Sequence, residues 1–203
     1  MLVTESQQQQ IEQCISEIET KTDAELVCVL AARSDPYYYI SAVWAACIAF
    51  LAPIPLGFFT EWFHLSFILF LQAGTFITGF LLLRWPPLLT YFIPKPVRYW
   101  YATNLARRQF LAQNLHHTQG ATGVLIFISE AEHYVEIMAD RGIHQHVPNE
   151  TWQHIVDELI TQIKQQRTFP GLLTCLDQCG ALLAQHVPAT HQKNELPNRL
   201  VIL

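Results

Sequence analysis

Three aspartates are the residues of this chain best placed for hydrolytic chemistry. Asp23 precedes the first apolar strand-like run, Asp140 follows the last one, and Asp177 lies on the final helical segment. Carboxylates that converge on one point can hold a hard cation or shuttle a proton. Asp140, in Asp140-Arg141-Gly142 at a strand end, is the strongest candidate for a catalytic role, and Asp23 with Asp140 the candidate metal pair. Each has a plainer role as well: Asp23 ends a helix–strand loop, Arg141 pairs with Asp140, and Asp177 is solvated. No phosphate-cradling glycine loop follows a strand, because Ala139-Asp-Arg-Gly-Ile-His144 lacks the required glycines. His144-Gln-His146 has chelating spacing, with His133 and His154 near in sequence, yet no third ligand is identified and solvated loop histidines fit equally. His116-His117, at a helix end, complements the helix dipole. Cys175 and Cys179 share a helix face but lack the CxxC spacing and neighbouring histidines of a zinc site, so they read as small core residues. With Cys14, Cys28 and Cys47 they make an odd total of 5, which argues against a secreted disulfide framework.

The elements that must position these residues follow from periodicity. Thr4 and Gln7 form a T-x-x-Q capping box, and Ile11, Cys14, Ile15 and Ile18 recur at helical spacing, which predicts a helix over 5–21. Glu25-Leu-Val-Cys-Val-Leu-Ala31 is a β-branched run of strand length, buried on both faces. From Val97 the apolar residues Val97, Trp100, Tyr101, Leu105, Leu111 and Leu115 predict a helix ending near Gly120. Its Arg98, Arg107 and Arg108 face either solvent or anionic lipid. Thr122–Ser129 and His133–Ala139 are two strands joined by a short polar link, hence an antiparallel hairpin. Asn149 caps a helix bearing Trp152, Ile155, Val156, Leu159, Ile160 and Ile163. Phe169-Pro170-Gly171 interrupts the chain before a last helix over 172–185, and the polar tail from Pro188 reads as a strap or a frayed end.

Charge is distributed very unevenly. Of the 12 Lys and Arg and 17 Asp and Glu, only Glu61 falls between Pro36 and Leu83. Pro36–Thr60 and Trp62–Leu83 each exceed the roughly 20 residues that a helix needs to cross about 30 Å of hydrocarbon. Tyr37, Tyr38, Tyr39, Trp44, Trp62 and Trp85 stand near their ends as interfacial anchors. Pro53 and Pro55 kink or end the first span, and Gly74 and Gly79 permit close packing of the second. Basic residues flank the pair (Arg33 before; Arg84, Lys95 and Arg98 after) and are missing from the turn at 60–62, so both termini are expected in the cytoplasm of a multi-pass inner-membrane protein. The N-terminus has no basic and apolar signal pattern, so no cleavage is expected. The net charge of −5 arises mainly from acids among the first 35 residues, and no basic stripe suggests nucleic acid as a partner.

One helix and one strand cannot form a core alone. Two crossings return the chain to its starting side, where residues 25–31 can join the sheet of 122–139. The expected architecture is therefore an α/β domain with a mixed sheet flanked by helices, interrupted by a two-helix transmembrane hairpin. Its parts are 1–35 (helix and first strand), 36–84 (hairpin), 85–96 (interfacial linker), 97–187 (the rest of the domain) and 188–203 (tail).

Gly123-Val-Leu-Ile-Phe-Ile-Ser129, Glu132-His-Tyr-Val-Glu-Ile-Met-Ala-Asp140-Arg-Gly-Ile143, Trp152-x-x-Ile155-Val156 and Asn194-Glu-Leu-Pro197, with Asp23-Ala-Glu25-Leu26-Val27 ahead of them, resemble the TPM domain family in its membrane-embedded bacterial branch. The resemblance implies an α/β sandwich. It implies relatives among which some are soluble acid phosphatases, some bind calcium and some assist photosystem maintenance. The acidic, glycine-bearing helix start of the soluble enzymes is represented here only by Phe169-Pro-Gly171-Leu. The expected function is accordingly a membrane-anchored cytoplasmic module that binds a partner or assists membrane-protein assembly or maintenance, its partners being the bilayer and another membrane or cytoplasmic protein. No cofactor is predicted from the residues, while calcium or magnesium is implied by the family. A membrane-anchored phosphatase-like hydrolase, with or without a metal, is the alternative.

Overall fold

A computed structural model describes residues 3–57, 64–85, 92–190, 196 and 200–203. Its elements in chain order are α1 (Glu5–Glu19), β1 (Glu25–Ala31), α2 (Tyr38–Leu51), α3 (Pro53–Gly57), α4 (Leu65–Leu83), α5 (Lys95–Ala112), a 3-10 turn at Leu115–His117, β2 (Gly123–Ser129), β3 (Tyr134–Ala139), α6 (Arg141–His144), α7 (Asn149–Lys164), α8 (Thr168–His186) and β4 (Leu200–Ile202). They fall into two compact units, residues 3–34 with 99–203 and residues 35–98. The expected turn at 60–62 and most of the linker 85–96 lie outside the described residues, as does Asn194-Glu-Leu-Pro197 except for Leu196.

The first unit is built on a four-stranded mixed sheet in the order β3-β2-β1-β4. β1 runs parallel to β2, with Glu25 opposite Gly123, and parallel to β4, while β2 and β3 form the expected antiparallel hairpin. Every residue of β1 and β2 is buried, which is why both read as unbroken apolar runs rather than alternations. One face packs on α1, α7 and α8 through Ile11, Ile15, Leu159, Leu172, Leu176 and their neighbours. The other packs on α5 through Ala102, Ala106 and Phe110 and on Leu115, against Val27, Val29, Leu125 and Phe127. The α1 capping box forms as expected, the Thr4 amide donating to Gln7 Oε1 at 2.9 Å and the Gln7 amide to Thr4 Oγ1 at 3.3 Å.

Four local expectations are corrected. The helix after Val97 stops at Ala112 rather than near Gly120, because Asn114 turns left-handed (φ 58°) and the chain closes as a 3-10 turn. Asn149 is the first helical residue of α7, and Pro148 occupies the cap. Phe169-Pro170-Gly171 does not interrupt the chain but lies in the first turn of α8, where a proline has no intrahelical hydrogen bond to lose. The tail contains a strand, β4, which closes the sheet beside β1. With only Leu200-Val-Ile202 it is too short for any periodic signal.

The second unit holds α2, α3 and α4. Its segments Tyr38–Pro55 and Leu65–Leu83 are long and apolar enough to cross a membrane. Helices α2 and α4 pack on each other, with Ala45 facing Gly79 and Ser41 Oγ donating to the Leu83 carbonyl at 3.2 Å. Gly74, the other glycine expected at a packing surface, has open space where a Cβ would stand. The break at Ala52 ahead of Pro53 and Pro55 gives the first helix the expected early end.

Candidate functional site

The sheet register puts Asp23 and Asp140 beyond the same end of the sheet, where Glu25 and Ala139 flank the start of β2. Both carboxylates engage the chain itself. The Asp23 carboxylate accepts the Thr190 amide at 2.9 and 3.0 Å and also the Thr190 hydroxyl, pinning the tail. Asp140 caps α6 by accepting the Arg141 amide at 2.7 Å. Asp177 stands elsewhere, taking the Cys14 thiol at 3.7 Å between α8 and α1. This contact and burial push the Cys14 thiol up to about 11, burial contributing most. The histidines do not gather: His133 and His144 line the cleft described below, whereas His146 Nδ1 sits 2.9 Å from the Gly142 carbonyl. Cys175 and Cys179 are buried in the core with Cys28, whose thiol burial pushes up. Among the described residues no three His, Cys, Asp or Glu side chains are grouped to hold a metal ion. A hard cation needs about six oxygens, and the Asp23 and Asp140 carboxylates are already turned onto backbone amides.

At the opposite end of the sheet, where β1 and β2 finish, lies a polar cluster that sequence reasoning missed. Glu132, in the β2–β3 turn and only 2% exposed, accepts the Ser34 amide with both oxygens at 3.2 and 3.1 Å. It also accepts the Ser129 hydroxyl, and the Ser34 and Ser129 hydroxyls are 2.9 Å apart. The cluster ties the last residue of the first segment to the hairpin 95–98 positions later.

A hollow in the first unit runs along β3. It is a cleft of about 670 Å³, walled by Tyr99 of α5 on one side of the strand and by Trp152, Val156 and Ile160 of α7 on the other. β3 is an edge strand, so nothing in the sheet covers its outer side. The Asp140 amide donates to the Gly123 carbonyl at 2.9 Å, which fixes the alternation. Tyr134, Glu136 and Met138 turn their backbone groups toward β2, while Val135, Ile137 and Ala139 turn theirs into the cleft. In the α5-side wall the Tyr134 hydroxyl donates to Glu136 Oε2 at 2.9 Å and is paired with Thr103 at 2.7 Å. Burial raises Tyr134 to about 12 and also raises the Glu136 carboxyl, against the opposing pull of the Tyr134 hydroxyl and of Arg107. In the α7-side wall the Trp152 indole nitrogen is buried with no hydrogen-bond partner among the described residues.

The model of the TPM domain matches residues 97–182, from α5 to most of α8, and so contains the whole cleft and the β2–β3 hairpin. A TPM domain is thus recognised at residues 97–182, and not over the rest of the chain. No curated protein matches the chain. The fold is similar to the NMR structure of the BA42 protein from the psychrophilic bacterium Bizionia argentinensis, with a TM-score of 0.60 at 17% identity over 99% of this chain and 95% of that one. The matched range leaves α1, β1 and β4 outside the TPM model, although β1 and β4 complete the sheet on which the TPM segment is built.

Acids of α1 and β1 fasten the tail to the TPM sheet. Glu12 Oε1 accepts the Leu200 amide at 3.4 Å, and Glu25 Oε2 the Leu196 amide at 3.3 Å. Beside them Glu19 is the exception. Its Oε1 accepts the Leu26 amide at 2.9 Å, but its Oε2 is buried without a partner among the described residues. Desolvation, aided by the charge of Glu25 and opposed by the Leu26 bond, pushes its pKa up to about 8. The folded state therefore holds a proton that the unfolded chain releases near the ordinary value of 4.5. The stability associated with Glu19 is fully present below pH 4.5 and is lost progressively as pH rises to about 8, by up to about 1.4 kcal/mol per unit. Glu19→Gln keeps the acceptor for Leu26 and removes the titration. We expect it to raise the melting temperature at pH 7.5 and to flatten the decline between pH 5 and 8; an unchanged pH profile would show that Glu19 is not the responsible group.

Proposed function

We propose that this chain is a membrane-anchored binding module, in which α2 and α4 cross the bilayer as a hairpin and the TPM domain, on the cytoplasmic side with both termini, engages a partner protein through the β3 cleft. The observation that carries the anchoring is the state of the apolar surface in the second unit. Phe50 and Phe70 are 73% and 78% exposed, and in α4 only Leu83 is buried. Contiguous apolar surface of this kind requires a cover, and lipid covers a helix that is apolar on every side. Arg33, Arg84, Lys95 and Arg98 support the orientation by their closeness to the span ends. The cleft supports the binding role, because it joins apolar side chains of α7 to polar groups, among them Glu136 and the outward-facing backbone of β3, the usual composition of a recognition site.

The test is fractionation followed by topology mapping. The protein is expected to stay in the membrane pellet through an alkaline wash that strips peripheral proteins, with reporters at both termini accessible only from the cytoplasm. Release into the soluble fraction, or a periplasmic terminus, would sink the reading.

A second reading, a phosphatase-like hydrolase, has one observation in its favour: Asp23 and Asp140 stand at one end of the sheet. Full-length protein in detergent, given a generic phosphate ester with and without calcium or magnesium, separates the two. Turnover abolished by Asp140→Ala supports the hydrolase, and no turnover in any condition supports the binding module.

A further inference from the structure

The geometry points to one kind of occupant for this cleft: an extended segment of a partner polypeptide that adds to β3 as a fifth strand, its side chains alternating between apolar residues toward α7 and a basic residue beside Glu136. The inference deepens the binding reading above and rests on it.

Four observations converge. First, the amide and carbonyl groups of Val135, Ile137 and Ala139 point out of the sheet, and among the described residues none has a partner. A strand edge in this state is a template for another chain, which proteins ordinarily blunt with a covering loop, a proline or an inward charge. Among the described residues neither β3 nor the cleft is blunted in that way, since the only charge on the strand, Glu136, sits on its α5-facing side. Second, walls stand on both sides of the edge, Tyr99 on one and Trp152 with Val156 on the other. Such walls admit a lone strand, whereas a second copy would have to bring its own α5 and α7 into the same space. Third, the two walls differ in chemistry. The α7 wall is uncharged, with Trp152, Val156 and Ile160 beside the neutral Asn149 and Gln153, while Glu136 is the acid of the α5 wall, half-buried and only partly compensated by Tyr134 and Arg107. A cation on the neighbouring strand would face it as a cross-strand pair. Fourth, the Trp152 side chain is 6% exposed and its indole N–H is buried without an acceptor among the described residues, so that a small turn of the ring toward a guest strand would pair it with a guest carbonyl.

The experiment uses the full-length protein in detergent micelles and, as probe, a terminally blocked nonapeptide of alternating valine and lysine. Amide exchange is read residue by residue. Saturating peptide is expected to slow exchange at Val135, Ile137 and Ala139 at least tenfold while leaving Glu136 and Met138, already bonded to β2, unchanged. Glu136→Gln is expected to weaken the peptide at least threefold. Two further peptides carry N-methyl groups on either the valines or the lysines. One set must abolish binding and the other must not, because successive residues of a strand point their amides to opposite edges. Binding that tolerates both methylated sets, or that leaves the three outward amides unprotected, overturns strand addition. So does protection of those amides that appears without peptide and grows with protein concentration, which would mean that a second copy fills the edge. A photocrosslinker at Gln153 in living cells separates this from the broader reading: no adduct overturns the cleft as a binding site, whereas an adduct without strand-like protection overturns only the strand geometry.

Discussion

Replacing Glu132 with alanine is expected to destabilise the α/β unit by about 3 kcal/mol, a large fraction of what holds a domain of this size. The carboxylate is 2% exposed and takes hydrogen bonds from the Ser34 amide and the Ser129 hydroxyl. The serine hydroxyls can turn to each other, since they are 2.9 Å apart, but the Ser34 amide has no substitute acceptor in that cluster and would be left buried and unpaired. Glu132→Gln, which keeps one acceptor oxygen, should cost roughly half as much. Thermal unfolding of the full chain in detergent, followed by near-ultraviolet circular dichroism, measures both. A Glu132→Ala protein that melts with the wild type would show that the cluster adds nothing to stability.

Gly142→Ala is expected to be at least as damaging, at about 3 kcal/mol or more, for a different reason. A Cβ at this position would lie 2.0 Å from the Gly120 carbonyl oxygen and 2.7 Å from that of Ala121. Those obstacles are backbone atoms, and the Gly142 amide itself bonds the Ala121 carbonyl at 2.9 Å, so α6 cannot move away without breaking that bond. Relief would have to come from shifting the start of β2, where Gly123 is held just as tightly against the Leu115 carbonyl. Gly74→Ala is the matched control, since its added Cβ meets nothing within 4 Å, and its melting temperature should equal or slightly exceed that of the wild type. Equal effects of the two substitutions would refute the packing argument.

These two residues show how unevenly the site could be read from sequence. Glu132 and Gly142 both belong to the string that resembles the TPM family, yet nothing local separates Glu132 from Glu130, a solvated-looking acid in the same turn. Only the arrival of Ser34, 98 positions earlier, turns it into a buried acceptor. The aspartates tell the reverse story. Asp23 and Asp140 were conspicuous by their places at strand ends, and the fold brings them to one end of the sheet, but each is turned onto a backbone amide. Asp177, singled out as a carboxylate on the last helix, is carried away to the α1–α8 contact. The cleft was invisible because it depends on β3 being at the edge, and strand order is not a local property. The one hint was that Tyr134–Ala139 alternates while 25–31 and 123–129 do not, as expected of a strand with less cover.

From the order of residues alone came the helices and strands whose periodic pattern runs for six residues or more, the capping box, the hairpin, and two uncharged stretches long enough to cross a bilayer. All of these rest on interactions within a few positions of each other or on composition averaged over a window. Folding alone settled that three residues at the very end would close the sheet, that Pro170 would open a helix rather than break one, and that an edge with unpaired amides would meet an unpartnered tryptophan. These depend on which distant segments come to lie side by side, and so on packing and backbone hydrogen bonding across more than a hundred residues, which no short stretch of sequence encodes.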